Sequence, residues 1–326
     1  MKKKIIACLM LAVMVMGLLG GCGSNKNQVL ILSSSEEFRN EAISKMLKEK
    51  FPNYDIQLQY MSTGNNAAKL KAEGTSTDCD IVLGLEVGYL QQNSGILADL
   101  SSYDTSAYLD ELLPADHTYL PWERYSGCIA IREDILKEKG LAVPTSYEDL
   151  LKPEYKGLIS MPSPKASGTG YMFLLSLVNA WGEDKAFEYF DKLSENILQF
   201  TTSGSGPVNA LVQGEAAIGL GMTFQTVAEF NKNVPLSLHY FQEGAPYNTC
   251  GIAIVKGKEN NPVVKEIFDY LSTEVVRMDK ERFVPERIFK DQEISIANYP
   301  QDIPYADMST QDAVATKEHL LSKWNH

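Results

Sequence analysis

Between residues 28 and 85 the chain switches repeatedly between two hydrophobic periods, and that switching limits its fold more than any single residue does. Gln28 to Ser33 is a compact apolar run ending in Ser33-Ser34-Ser35, a buried strand followed by a helix start. EEFRNEAISKMLKEKF then puts Phe38, Ala42, Met46 and Leu47 on one helical face, and Pro52 breaks it. YDIQLQY alternates Tyr54, Ile56, Leu58 and Tyr60 with strand period. Thr63-Gly64-Asn65 opens a lysine-rich helix ending near Gly74, and Cys79 to Leu85 is another buried strand. Strand, helix, strand, helix, strand reads as α/β with an open, mostly parallel sheet flanked by helices. Ligands of such sheets sit beyond the carboxyl ends of the strands. Ser34, Ser35, Thr63, Gly64, Asn65 and Glu86 all fall at such ends, although each also reads as an ordinary cap or turn.

A second α/β set follows. LISMP, ILQF, AAIGLGM and SLHYF read as strands, and GTGYMFLLSLVNAW, EDKAFEYFDKLSENI and VNALVQG as helices. The similar runs CIAI (128–131) and GIAI (251–254) bracket this set. A domain inserted between two strands of another domain gives that arrangement, with paired chain crossings acting as a hinge. The expected division is one lobe from 28–123 plus 252–326 and another from 124–251.

Two turns in the second set carry the chemistry. Ser167-Gly168-Thr169-Gly170 and Thr201-Thr202-Ser203-Gly204-Ser205-Gly206-Pro207 each run into a helix. Helix starts rich in small residues leave backbone N–H groups free to hold an anion, and the helix dipole favours negative charge there. Either turn alone could be no more than an N-cap. The first lacks the Gly-Lys-Ser/Thr of a nucleotide-binding loop, and no GxSxG elbow or His/Asp set accompanies the serines.

At the N-terminus, Met1-Lys2-Lys3-Lys4 is basic, Ile5 to Leu19 is apolar apart from Gly17, and Leu19-Gly20-Gly21-Cys22 follows. This resembles a bacterial lipoprotein signal over 1–21, with Cys22 lipidated and 22–27 a short tether. It implies a chain outside the cytoplasm, held at the outer face of the membrane by acyl chains. The net charge is −12 and becomes more negative without the three leading lysines, which disfavours nucleic acid as a partner. Cys79, Cys128 and Cys250 form no CxxC pair and read as buried thiols, with one bridge left open. The four histidines form no metal-binding pattern.

The motifs TGNNAAKLKAEG, DIVLGLE, PTSYEDLLKPEYKGLISMPSPKASGTGY, WGEDKAFEYFDKL, FTTSGSGPVNALVQGEAAIGLG and GIAIVKGKENNPVVKEIFDYL together resemble an ABC-transporter solute-binding protein. The likeness is to the branch that binds ferric ion, phosphonates such as 2-aminoethylphosphonate, and hexose phosphates. It implies a two-lobed, hinged periplasmic-binding-protein fold of type II, a monomer that closes on a small anionic solute and docks on a membrane permease. It implies no catalysis and no cofactor. Ser167, Gly168 and Thr169 match the family's anion-holding turn, Ser203, Gly204 and Ser205 a second one, and Thr223 a further cleft position. Glu86 and Glu243 could pair an ammonium or accept from sugar hydroxyls, or simply be surface carboxylates. Trp122, Arg124 and Tyr125 flank the first crossing, as interlobe packing or as ligand-stacking groups. Ferric binders carry adjacent tyrosines after the strand AAIGLGM, where this chain has Met222-Thr223-Phe224-Gln225. A phosphonate or sugar phosphate is therefore the expected solute, with ferric ion or an extracellular hydrolase of phosphorylated compounds as alternatives.

Overall fold

The computed structural model describes residues 27–310 and 313–326. The expected signal segment, Cys22 and nearly all of the tether lie outside them.

In chain order the strands are β1 (Gln28–Ser33), β2 (Asp55–Tyr60), β3 (Ile81–Glu86), β4 (Leu120–Ile131), β5 (Ile159–Pro162), β6 (Ile197–Thr201), β7 (Ile218–Met222), β8 (Ser237–His239) and β9 (Tyr247–Ile254). The helices are α1 (Glu37–Lys50), α2 (Thr63–Glu73), α3 (Val87–Gln92), α4 (Glu133–Glu138), α5 (Gly168–Trp181), α6 (Glu183–Ser194), α7 (Gly206–Gln213), α8 (Thr223–Asn231), α9 (Pro262–Tyr270), α10 (Val276–Arg282) and α11 (Val314–Lys323). Asn261 starts α9, its side chain accepting from the Val263 N–H at 3.0 Å ahead of Pro262.

The strands join in the order β2-β1-β3-β9-β4-β7-β5-β6, with β8 also on β4. Two parallel cores, β2-β1-β3 and β6-β5-β7, are linked by antiparallel strands. β4 makes the link. Its first part, Leu120–Ser126, pairs with β9, and its second, Gly127–Ile131, pairs with β7. The sheet is therefore mixed, its parallel strands confined to the two cores.

Residues adjacent along the strands feed opposite faces, and both faces are buried. Ile31, Ile81, Leu83 and Ile252 pack beneath Ile43, Leu47 and Phe268, whereas Leu32, Val82, Leu85 and Ala253 pack with Leu70 and Leu90. In the other half Ile129 and Ile131 join Phe173 and Phe190, and Cys128 and Ala130 join Val208 and Leu211. This double burial explains the continuous apolar runs of these strands. The three cysteines are free and buried, and burial pushes the Cys79 and Cys128 thiols up to about 12. Val284, Tyr299, Met308, Leu320 and Trp324 pack in the core of the second half, whereas Ile288 and Phe289 pack in that of the first, so the chain after α10 contributes to both.

Two buried polar features near the β4 crossing lay outside the sequence analysis, and the first overturns one of its expectations. Phe38, expected on the inward face of α1, is exposed, and Arg39 is the inward residue, only 1% exposed. The guanidinium donates to both Asp279 oxygens at 2.9 and 2.8 Å and pairs with Glu36 at 2.9 Å and with Glu123. Burial alone would push the Asp279 carboxyl up, but Arg39 and Lys280 outweigh it and hold it below its ordinary value. The second feature is Glu286, fully buried, whose Oε1 accepts from the Ser126 N–H and Oγ, both at 2.7 Å. Tyr299 and Tyr305 each donate to it at 2.8 Å. Burial outweighs these donors and raises its pKa.

Breaking a buried ion network by removing one partner leaves an uncompensated charge. Arg39→Met, which keeps much of the volume, should therefore cost about 3–5 kcal/mol of stability in a denaturant melt. A loss below about 1 kcal/mol, the range of an exposed ion pair, would show that the network is not supporting the fold.

Candidate functional site

A cavity of about 560 Å³ opens where the two halves face each other. Its position follows from topology. Each parallel strand ends there and hands the chain to a helix, so the helix N-termini point into the gap. The lining includes Ser34, Glu36, Glu37 and Glu41 around the start of α1, and Ser62 and Thr63 at the start of α2. Across from them stand Ser167, Gly168 and Thr169 at the start of α5, and Thr202 to Ser205 at the start of α7.

None of these four helices has a side-chain cap. Glu36, Ser62, Ser167 and Ser205 occupy the N-cap positions, and none accepts a hydrogen bond from the first turn. The first-turn N–H groups, which have no partner within a helix, are thus not satisfied by the residues that usually do so. Ser203 Oγ and Ser205 Oγ lie 3.2 Å apart, and Asn66 Nδ2 donates to Ser34 Oγ at 3.2 Å.

Two glycines are required by close approach. A Cβ on Gly204 would lie 2.3 Å from Thr169 Oγ1, so the two second-half turns pack directly on each other. A Cβ on Gly168 would lie 2.0 Å from Glu86 Oε1. A side chain at 168 would therefore displace the Glu86 carboxylate as well as obstruct the cavity.

Of the residues singled out from the sequence, Ser34, Thr63, Ser167, Gly168, Thr169, Ser203, Gly204 and Ser205 come together in the lining. Six others do not. Ser35 is buried under Gly84 with its Oγ unpartnered, and Gly64 and Asn65 lie in the first turn of α2 beside the lining. Glu86 is buried against Gly168 and ion-paired with Lys317. Thr223 is fully buried, its hydroxyl 2.8 Å from Ser126 Oγ and 3.3 Å from Tyr240 OH, within the network around Glu286. Glu243 accepts from Trp181 Nε1 at 3.2 Å, away from the cavity. Of the residues flanking the first crossing, Trp122 is core, Tyr125 lines the cavity, and the Arg124 guanidinium lies over the Tyr305 ring at 5.0 Å.

Several lining groups escaped the sequence reading. Gln225, in the first turn of α8, donates to Ser205 O at 3.2 Å and Asn209 Oδ1 at 2.9 Å. Its side chain is buried and its Oε1 has no partner. The signal was its place two residues after Thr223, at a strand's carboxyl end. Glu37, Glu41 and Glu229 add carboxylates to the wall, and Tyr60 presents a ring that is 53% exposed. Lys232 is the one cationic side chain in this lining among the described residues, and it pairs with Glu229 at 2.8 Å. On α1 these groups were hidden in what reads as a solvated helix start.

Comparison with known proteins supplies the family. A profile of the bacterial extracellular solute-binding protein family matches residues 79–309. An uncharacterised protein of Haemophilus influenzae is 28% identical over 261 residues, covering 77% of this chain and 74% of its own. Two solved structures align over nearly their whole length. The periplasmic binding protein AfuA from Actinobacillus pleuropneumoniae, with fructose-6-phosphate bound, has a TM-score of 0.74 at 23% identity, covering 91% of this chain and 97% of its own. Iron-bound HitA from Pseudomonas aeruginosa has a TM-score of 0.75 at 17% identity, covering 90% and 98%. Those likenesses establish the type II periplasmic-binding fold. By the extent of the profile match, the chain belongs to the bacterial extracellular solute-binding protein family, whose members serve ABC importers.

Proposed function

We propose that this protein captures a small solute carrying a phosphonate or phosphate group and passes it to an ABC permease. The observation that carries the reading is the convergence of four helix N-termini without side-chain caps, dressed with serine and threonine hydroxyls, on one cavity. Backbone donors and helix dipoles hold the anion, with Ser167, Thr169, Ser203 and Ser205 from one side and Ser34 and Thr63 from the other. The lobes divide at the β4 and β9 crossings, the first taking 28–123 and the chain from 252 through α10, the second 124–251. The segment after α10 is shared, Ile288 and Phe289 packing with the first lobe and Tyr299, Met308, Leu320 and Trp324 with the second. A ligand touching both lobes favours the closed state because only that state makes both sets of contacts.

The opposite wall favours an aminophosphonate over a sugar phosphate. Glu37 and Glu41 there suit an ammonium group, and on the cradle's own side the unpartnered Gln225 Oε1 is a further acceptor. The ferric reading has less support. Met222-Thr223-Phe224-Gln225 stands where ferric binders carry their adjacent tyrosines. Against a hydrolase, the matched family is one of solute-binding proteins. The chain is further proposed to be anchored through a lipid on Cys22, so Cys22→Ser should move it from the membrane to the soluble fraction, and unchanged retention would defeat the anchor.

Titration calorimetry and thermal melts test the solute. 2-Aminoethylphosphonate should bind and raise the melting temperature by mass action. Ethylphosphonate, which lacks the amine, should bind more weakly, and the double substitution Glu37→Gln with Glu41→Gln should narrow that gap. Thr169→Ala removes one hydrogen bond to a charged group and should weaken phosphonate binding roughly 10- to 150-fold. A response to ferric ion with none to either phosphonate would overturn the assignment. A fall in stability with unchanged affinity in Thr169→Ala would reduce the turn to a helix cap.

A further inference from the structure

Glu86 and Lys317 form a buried ion pair directly behind the proposed anion cradle. Glu86 closes β3 and is the N-cap residue of α3, 5% exposed. Its Oε2 is engaged by Lys317 Nζ, while Oε1, against Gly168, is buried without a hydrogen-bond partner. Lys317 arrives on α11, far along the chain. Its ammonium lies 4.1 Å from the Tyr89 ring centre and 4.3 Å from that of Tyr171, the latter in the first turn of α5. The helix that carries it is fastened to both halves. Gln92 donates to Glu318 at 3.0 Å on one side, His319 meets Glu183 at 3.0 Å on the other, and Trp324 packs edge-on against Phe190.

This placement raises an electrostatic problem for a site that binds anions. A carboxylate in contact with Gly168 already occupies the positive end of α5 from behind, and unneutralised it would repel a second anion arriving from the cavity. We infer that Lys317 determines the cavity's preference for anions: by neutralising Glu86 it frees the α5 N-terminus for the ligand's phosphonate or phosphate. Lys317 does not touch the cavity and acts through Glu86. This rests on the anion-cradle reading above. The same pair explains why Glu86, a strand-end residue that looked like a ligand group, does not reach the ligand.

The test uses the wild type, Lys317→Met, Glu86→Gln and the double variant, each titrated with ethylphosphonate and 2-aminoethylphosphonate. Lys317→Met should weaken ethylphosphonate binding by on the order of 10-fold, since the unpaired charge is screened only by the protein interior. Adding Glu86→Gln should restore it to within about threefold of wild type, the coupling expected of residues in contact. Glu86→Gln alone should bind ethylphosphonate at least as tightly as wild type, and this arm serves even if Lys317→Met does not fold. Unchanged affinity in Lys317→Met, a loss that Glu86→Gln does not restore, or weakened binding in Glu86→Gln alone would each overturn the inference. If the wild type binds neither phosphonate, the cradle reading fails and takes this one with it. Wild-type binding with an indifferent Lys317→Met removes only the role of Lys317.

Discussion

The antiparallel pairing of β4 with β9 is the constraint on which the other features depend. β4 is twelve residues long and changes partners at Ser126–Gly127, from β9 to β7. That exchange lets one sheet serve two cores while keeping them opposed. It also fixes which ends of the parallel strands meet. β1, β2 and β3 point their carboxyl ends towards those of β5, β6 and β7, and each of the six leads directly, or through a short turn, into a helix. Six helix N-termini are thereby aimed at one gap, with no need for a dedicated binding domain.

The polar groups buried at this crossing make sense in the same terms. Arg39 ties α1 to Glu123 on β4 and to Asp279 on α10, and its guanidinium lies 5.8 Å from the Phe224 ring of α8 in the opposite half. Glu286 ties Ser126, at the point where β4 changes partners, to the segment that returns to the second half. Purely apolar contacts would hold the crossing strands together but would tolerate many small displacements. Charged hydrogen bonds between fixed partners are less forgiving, because an unpaired buried charge costs far more than a shifted methyl group. These networks limit the geometries in which the two walls of the cavity can face each other.

Much of this was legible in the chain because its local signals agree with its global arrangement. Apolar runs buried on both faces and helix starts rich in serine and glycine describe the same α/β alternation. The two second-half turns could be read directly, since Ser-Gly-Thr-Gly and Ser-Gly-Ser-Gly have few uses other than tight turns at helix starts. The carboxylates were harder. Glu37 and Glu41 look like the acidic first turn of any exposed helix, and only the fold places them across from Ser203. Phe38 and Arg39 exchanged their expected positions because helical periodicity ranks a phenylalanine inward, whereas Asp279, distant in sequence, supplies the charge that draws Arg39 in. Thr223 and Glu86 stood at strand ends, as ligand groups do, but were claimed by Ser126 and Lys317, partners no local pattern could reveal.

An acidic chain can hold an anion if the distribution of charge over the helix starts is right, and here it is uneven. Two of the six helices facing the gap carry a glutamate at the N-cap, Glu36 on α1 and Glu86 on α3. Each of those carboxylates meets a cation: Glu86 has Lys317, and Glu36 shares Arg39 with Glu123 and Asp279. Both helices belong to the first half. In the second half the N-cap positions are Ser167, Ser205 and Met222, none of them charged. The uncommitted positive helix ends are therefore concentrated on one side of the cavity, and acidic side chains predominate on α1 opposite. A zwitterion lying across the gap meets its complement at both ends, anion towards α5 and α7, ammonium towards α1. A simple anion uses only one end, and a simple cation only the other. This polarity gives the cavity a direction, and it arises from which residue types stand at six structurally similar positions.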